Sequence, residues 1–390
     1  MPELRPVPRR AGRMAKRLLL ALAAAVATLA LLEAALWAID PLPPPPRRLM
    51  HRFLPNYHAM APAPRVIEFD PGPLPDVTPG VRQWQVNRWG FFYPEDKRRR
   101  AAPDELRIAT IGGSTVECST LPQDRTWPAL VEQLLARELP GRPVTVLNLG
   151  LSAMGIRTHL ATTSQLVTGL DVDLVVFMLG ANDLGRASAG DEPLLSPDSF
   201  YEAPSLSRQL RAWWHGTQIG RHLAAFRERT ERTPRTTPYF QEQADRLAAL
   251  PELPEPLRLS DEALAAYGRD LVTLAGICRE HGIAVLFTTQ PTMLTATPTA
   301  AERATIWGHE SDGHRVAPAN FVALLDALNQ QLLATCRARD YACIDLATML
   351  PKGLSCFFDP VHFTETGARR VAELLLPQVR ELAGARPVRR

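Results

Sequence analysis

From Leu106 onward, apolar runs of strand length alternate along the chain with segments of helical period. The strand-like runs are RIATIG (107–112), VTVLNLG (144–150), DLVVFMLG (173–180), IAVLFTT (283–289) and YACIDL (341–346). Helical periodicity falls near 127–138, 156–169, 261–281, 318–338 and 364–384. In 261–281, Leu264, Tyr267, Leu271, Leu274 and Cys278 share one face. Ser260 is placed to cap that helix, Asp261 and Glu262 suit its positive end, and Gly282 stops it. Near-continuous apolar strands separated by helices predict a parallel sheet covered on both faces. The expectation over 106–385 is therefore a doubly wound, flavodoxin-like α/β domain with five parallel strands.

Two regions depart from this alternation. Residues 18–39 are apolar except for Thr28 and Glu33, and as a helix they extend about 33 Å, enough to cross a hydrocarbon core. Arg5, Arg9, Arg10, Arg13, Lys16 and Arg17 precede them, within a basic tail at 1–17, and Asp40 with a proline run follows. The positive-inside rule then predicts a single-pass signal anchor in the inner (cytoplasmic) membrane, with the rest of the chain outside the cytoplasm. A cleaved signal peptide is the competing reading, but Glu33 or Leu36 occupies the upstream position of the available cleavage sites. Residues 40–105 read as a Pro-rich stalk and irregular lead-in, in which Gln83–Asn87 alternates like a short strand.

The second departure is an insertion at 186–260, after the third strand. Leu206, Leu210, Trp213, Trp214, Leu223 and Phe226 recur there at roughly helical spacing among Arg208, Arg211, Arg221 and Arg227. An amphipathic lid or membrane-surface helix would have this pattern. Gly216 and Gly220 interrupt the period, and the preferred expectation is a helix packed on the domain's own side.

Composition adds bounds rather than identity. A net charge of +3 on 390 residues gives no case for nucleic acid, and the basic excess sits mostly at the two ends. The five cysteines form no CxxC pair, which argues against a structural zinc site. Cys278, Cys336 and Cys343 read as small buried hydrophobes. An oxidising compartment would permit a Cys118–Cys356 bridge, since both lie beside the segments that must converge if the chemistry below is right.

In parallel α/β sheets ligands bind at the carboxyl ends of the strands, so the residues that follow each strand matter most. Gly112-Gly113-Ser114-Thr115 follows the first, Asn148-Leu149-Gly150 the second, and Gly180-Ala181-Asn182-Asp183 the third. Asp359-Pro360-Val361-His362 lies near the C-terminus. The P-loop lysine, the dinucleotide-binding GxGxxG, the GxSxG elbow and the HExxH metal motif are all missing, so no cofactor or metal is expected. A serine, a glycine, a GxND and a DxxH in that order suit acyl transfer: a Ser114 nucleophile, a His362 base and Asp359 to fix the imidazole tautomer. The N–H groups of Ser114 and Gly150 and the side-chain amide of Asn182 would then receive the oxyanion.

This set resembles the SGNH/GDSL hydrolase superfamily, whose four blocks supply Ser, Gly, Asn and His. The resemblance covers roughly 106–385 and looks closest to bacterial membrane-anchored members with GGST in place of GDSL. VNRWGFF, TQPTM and FFDPVHFTETG look like further segments of that subgroup. It implies a serine esterase acting through an acyl-enzyme on O-acyl esters of an exported glycan or lipid. The same residues would serve an O-acyltransferase acting on envelope polysaccharide. A non-catalytic glycan-binding or scaffold protein is the reading from another class, against which the complete set of chemical groups argues. Protein partners are not legible.

Overall fold

The computed structural model describes residues 9–39, 65–69, 76–78, 82–86, 102, 104–152, 154–187, 210, 213–214, 217–230, 244–253, 257–306, 310–311 and 313–384. The start of the basic tail, the proline run after Asp40, 87–92 of the lead-in, Leu206, Arg208, Arg211 and His309 lie outside these residues.

Strands β1 (Arg65–Phe69) and β2 (Arg82–Val86) pair antiparallel. The sheet that carries the domain contains β3 (Leu106–Gly112), β4 (Val144–Asn148), β5 (Leu174–Met178), β6 (Ala284–Thr288) and β9 (Ala342–Ile344). Its order is β4-β3-β5-β6-β9, with every neighbouring pair parallel. Strands β7 (Glu310–Ser311) and β8 (His314–Arg315) form a small separate hairpin. This is the doubly wound order expected from the alternation. The central β3 and β5 are buried at every position, as strands covered on both faces must be.

The helices are α1 (Arg9–Ile39), α2 (Ser114–Glu117), α3 (Trp127–Glu138), α4 (Ile156–Gln165), α5 (Ala181–Ala187) and α6 (Gln218–Thr230). They continue as α7 (Asp261–Glu280), α8 (Ala300–Arg303), α9 (Pro318–Arg339), α10 (Leu346–Met349) and α11 (Glu365–Gly384). Helix α11 packs on α3, while α7 packs on α4 and α9. Right-handed crossovers place these two groups on opposite faces of the sheet. Local chemistry sets the ends: Ser260 Oγ accepts from the Ala263 N–H at 3.1 Å, and Gly282 takes φ +67° beyond α7. On the core side, Phe177 of β5 stacks on Phe287 of β6 with ring centroids 5.3 Å apart.

Two readings of the sequence need correction. The lead-in is more ordered than its prolines imply, because it contains the β1–β2 pair. Thr78 N–H also donates to Glu365 Oε1 at 2.9 Å, and the Glu365 N–H donates to the Asp76 carbonyl at 3.1 Å, tying this stretch to the start of α11. In the insertion, Leu210, Trp213, Leu223 and Phe226 are exposed rather than packed on the domain, and the first turn of α6 meets α1 instead. Helix α1 is long and apolar enough over Lys16–Ile39 to cross a membrane, and none of that window is buried.

Candidate active site

The sheet register assembles the site. Gly112 at the end of β3 pairs with Met178 at the end of β5, so the residues just beyond each strand lie side by side. These are Ser114, which opens α2, and Asn182, in the first turn of α5. In a doubly wound sheet the first strand and its neighbour across the reversal of strand order flank the natural crevice. Close approach is possible because of glycine. A Cβ on Gly112 would stand 2.3 Å from the Met178 carbonyl oxygen, and one on Gly113 would stand 2.1 Å from the Asn182 amide nitrogen.

The third contributor arrives from the loop between α10 and α11. His362 Nε2 lies 2.6 Å from Ser114 Oγ, and its Nδ1 lies 2.6 Å from Asp359 Oδ2. The other carboxylate oxygen of Asp359 accepts the N–H groups of Val361 and His362 at 2.9 and 2.8 Å. Four residues of loop thus form one hydrogen-bonded unit, and the ring has little freedom to turn. Asp359 is buried and His362 keeps 16% of its side chain exposed, facing the serine.

Burial disfavours charge on both groups, yet each is shifted toward its ionised form. Burial would lower the His362 pKa, but the Asp359 carboxylate and its hydrogen bond, with Glu117 beyond, raise it above the ordinary histidine value. Burial would raise the Asp359 pKa, but His362 and the two backbone N–H donors hold it below the ordinary carboxylate value. Such a unit can take a proton from a hydroxyl and hold the resulting imidazolium.

A cleft of about 230 Å³ opens beside Ser114, lined by Gly113, Met154, His159, Asn182 and Gln290 among others. The Asn182 amide donates one hydrogen to the Met154 carbonyl at 3.0 Å, which leaves its second N–H for the cleft. Ser114 is the first residue of α2, so its N–H has no intrahelical acceptor. Gly150 is placed differently from the expectation. The N–H groups of Leu149 and Leu151 point at β3, bonding the Thr110 and Gly112 carbonyls at 2.9 Å each. Alternation along the extended chain turns the Gly150 N–H away from β3, and it donates to Asn148 Oδ1 at 3.0 Å. The glycine serves packing instead: a Cβ there would meet the Glu117 nitrogen at 2.2 Å, so α2 could not rest on this strand end.

The TQPTM segment after β6 braces the rest. Gln290 Oε1 accepts from Thr115 Oγ1 at 3.0 Å, and its backbone N–H donates to Asn329 Oδ1 of α9 at 2.9 Å. Thr292 Oγ1 and the Met293 N–H both donate to the Pro360 carbonyl, at 2.7 and 2.9 Å. One short loop therefore links the turn that carries Ser114 to the loop that carries His362.

The family model of GDSL-like lipases and acylhydrolases matches residues 110–370, most of the sheet domain with all of these elements. The chain belongs to the GDSL-like lipase/acylhydrolase family. It is an SGNH-type hydrolase. Among similar solved structures, a variant of Axe2, an acetyl xylan esterase from Geobacillus stearothermophilus, is 14% identical, with a TM-score of 0.40 over 73% of this chain and 97% of that one. TesA is 16% identical, with a TM-score of 0.40 over 71% of this chain and 99% of that one. A lipase/acylhydrolase from Enterococcus faecalis is 15% identical, with a TM-score of 0.40 over 73% of this chain and 99% of that one. No curated protein sequence matches the chain.

Within this GDSL-like hydrolase the bridge that an oxidising compartment would permit is not formed. Cys118 and Cys356 are both free, and Cys118 Sγ instead donates to the Thr115 carbonyl at 3.1 Å. The segments do converge, but Cys118 is turned into the wall behind Ser114. His159 and Gln290 went unread in the sequence as cleft residues. His314 lies in the β7–β8 hairpin and is not among the residues that line this cleft. The available signals were the strand-end position of Gln290 and a lone histidine one turn into the helix after β4.

Proposed function

We propose that this chain is a membrane-anchored serine esterase that removes short O-acyl groups from an exported glycan. The observation that carries the reading is the unbroken relay from Ser114 Oγ through the His362 ring to Asp359, with both links at 2.6 Å. His362 Nε2 takes the Ser114 proton as Oγ attacks the ester carbonyl. The tetrahedral oxyanion is received by the Ser114 N–H and the free N–H of Asn182. Collapse expels the alcohol, which His362 protonates, and leaves an acyl-serine. Water, deprotonated by the same imidazole, repeats the attack and frees the acid.

The polar groups of Asn182, His159 and Gln290 in the cleft wall favour a short acyl group over a long apolar chain. The anchor reading rests on Lys16–Ile39 and the basic residues before it, which orient the domain away from the cytoplasm. The test is a chain-length series of p-nitrophenyl esters on the full chain in detergent. Turnover falls from acetate to octanoate, and S114A loses both turnover and labelling by a fluorophosphonate. Equal labelling of wild type and S114A would remove Ser114 from the mechanism.

A further inference from the structure

Glu33 sits within the apolar helix α1, yet it does not face lipid as a lone charge. Its Oε1 accepts the Gln218 N–H at 2.6 Å and its Oε2 the Ile219 N–H at 3.0 Å. These are the first N–H groups of α6, which have no intrahelical acceptor, and the helix dipole there favours a carboxylate. The anchor thus caps a helix of the hydrolase insertion.

The depth of this junction follows from length. Lys16–Ile39 is 24 residues, about 36 Å as a helix, against a hydrocarbon core of about 30 Å, or about 20 residues. Counted from Lys16, the core ends near Leu36, so Glu33 lies about one turn inside the outer boundary. The start of α6 is fixed at that level. Around it the apolar side chains point outward: Trp213 is 67% exposed, Phe226 63%, Leu210 56% and Leu223 48%. Gln218 and Arg221 on the same helix are buried. A helix polar toward the protein and apolar toward its surroundings is the inverse of a soluble surface helix. Tryptophan belts form at the headgroup level, and amphipathic helices seat about 5–10 Å into the boundary.

We propose a membrane foot: Trp213 and Trp214, with Leu223 and Phe226 of α6, insert into the outer-leaflet interface beside α1, and Glu33 locks α6 to the anchor. The foot rests on α1 crossing the bilayer and is independent of the esterase chemistry. The consequence is mechanical. A single span would let the domain swing on its linker, whereas two attachments hold the Ser114 cleft at a set height and orientation above the lipid.

The test is tryptophan quenching in the full chain, reconstituted into vesicles of phosphatidylethanolamine and phosphatidylglycerol with acyl chains brominated near the headgroup or near the bilayer centre. Wild type is compared with W37F, which reports α1, and with the double variant W213F/W214F. The expected result is quenching that is strongest with bromine near the headgroup, with one share lost in W37F and a larger share lost in the double variant. If W37F loses a share of the quenching and the double variant loses none, α1 is inserted but water or protein covers the α6 face, and the foot is wrong. If neither variant loses any, the span itself is wrong and the foot falls with it. Activity on a soluble ester is read in parallel, so failure here is separable from failure of the Ser114 mechanism.

Discussion

The amide nitrogen of Asn182 stands so close over Gly113 that a Cβ on the glycine would lie 2.1 Å from it. No rotamer change of Gly113→Ala can relieve this, because the clashing atom is the Cβ itself. Asn182 must move, and with it the N–H proposed to meet the oxyanion. The expected loss is about 10²–10³ in kcat, the usual cost of one such donor, with the fold intact by circular dichroism. Steady-state kinetics of G113A would check it. A variant within threefold of wild type would remove Asn182 from the transition state.

The raised pKa of His362 sets the pH dependence. The ring must be neutral to accept the serine proton, so activity is lost as pH falls through its folded pKa. That pKa lies above the unperturbed value of about 6.5, because the Asp359 carboxylate outweighs burial. The rising limb of kcat/KM is therefore centred above pH 6.5. In D359N the buried ring loses its counter-charge, the midpoint moves below 6.5, and kcat drops by about 10⁴ through loss of the correct tautomer. A pH–rate profile of both proteins decides the point, and a D359N midpoint at or above the wild-type one contradicts this assignment.

Much of this is legible in the sequence alone, and the parts that are not share a cause. Strand runs such as DLVVFMLG and caps such as Ser260 depend on near neighbours, so periodicity finds them. Ser114, Asn182, Asp359 and His362 stand at strand ends or in one loop, and the parallel order brings such ends together. Gly150 misled because the direction of an N–H depends on peptide alternation along the strand, which residue identity does not encode. Gln290 acts through Thr115 and Asn329, both distant in sequence, and His159 through the backbone carbonyl of Met154, so no motif marks either. The spacing of Leu210, Trp213, Trp214, Leu223 and Phe226 suits the domain's own surface as well as a membrane, and only the contact of α6 with Glu33 of α1 distinguishes the two.

At the opposite end of the sheet from Ser114, Arg107 is a buried cation. Its guanidinium donates to Glu105 Oε1 at 2.9 and 3.1 Å and to the Leu170 carbonyl at 3.3 Å, while its backbone N–H donates to Asp173 Oδ2 at 2.9 Å. Arg107→Ala leaves Glu105 buried without its cation, which costs about 3–5 kcal/mol of stability. Urea denaturation should show a lower midpoint at unchanged slope, with kcat preserved at low temperature because the site lies across the sheet. A loss below about 1 kcal/mol would put this pair in the class of exposed surface bridges.

His159 is the other histidine at the site, and its part is positional. Its Nε2 lies 3.2 Å from the Met154 carbonyl, the same oxygen that accepts the Asn182 amide, so Nε2 carries the proton. Nδ1 is buried with no hydrogen-bond partner among the described residues. Burial pushes its pKa down to about 4, so the ring stays neutral across the working range. Two donors hold the Met154 carbonyl, and the carbonyl in turn aims Asn182. In His159→Leu that carbonyl keeps only the Asn182 bond, and the amide gains freedom to turn. The expected cost is about tenfold in kcat with little change in KM, matching one buried hydrogen bond of about 1–1.5 kcal/mol. Because His159 does not titrate near neutrality, the pH profile of the variant keeps the wild-type midpoint at reduced height. His159→Gln, which restores a donor, recovers part of the rate. A shifted midpoint in His159→Leu would instead make this ring a participant in proton transfer, and the positional account would fail.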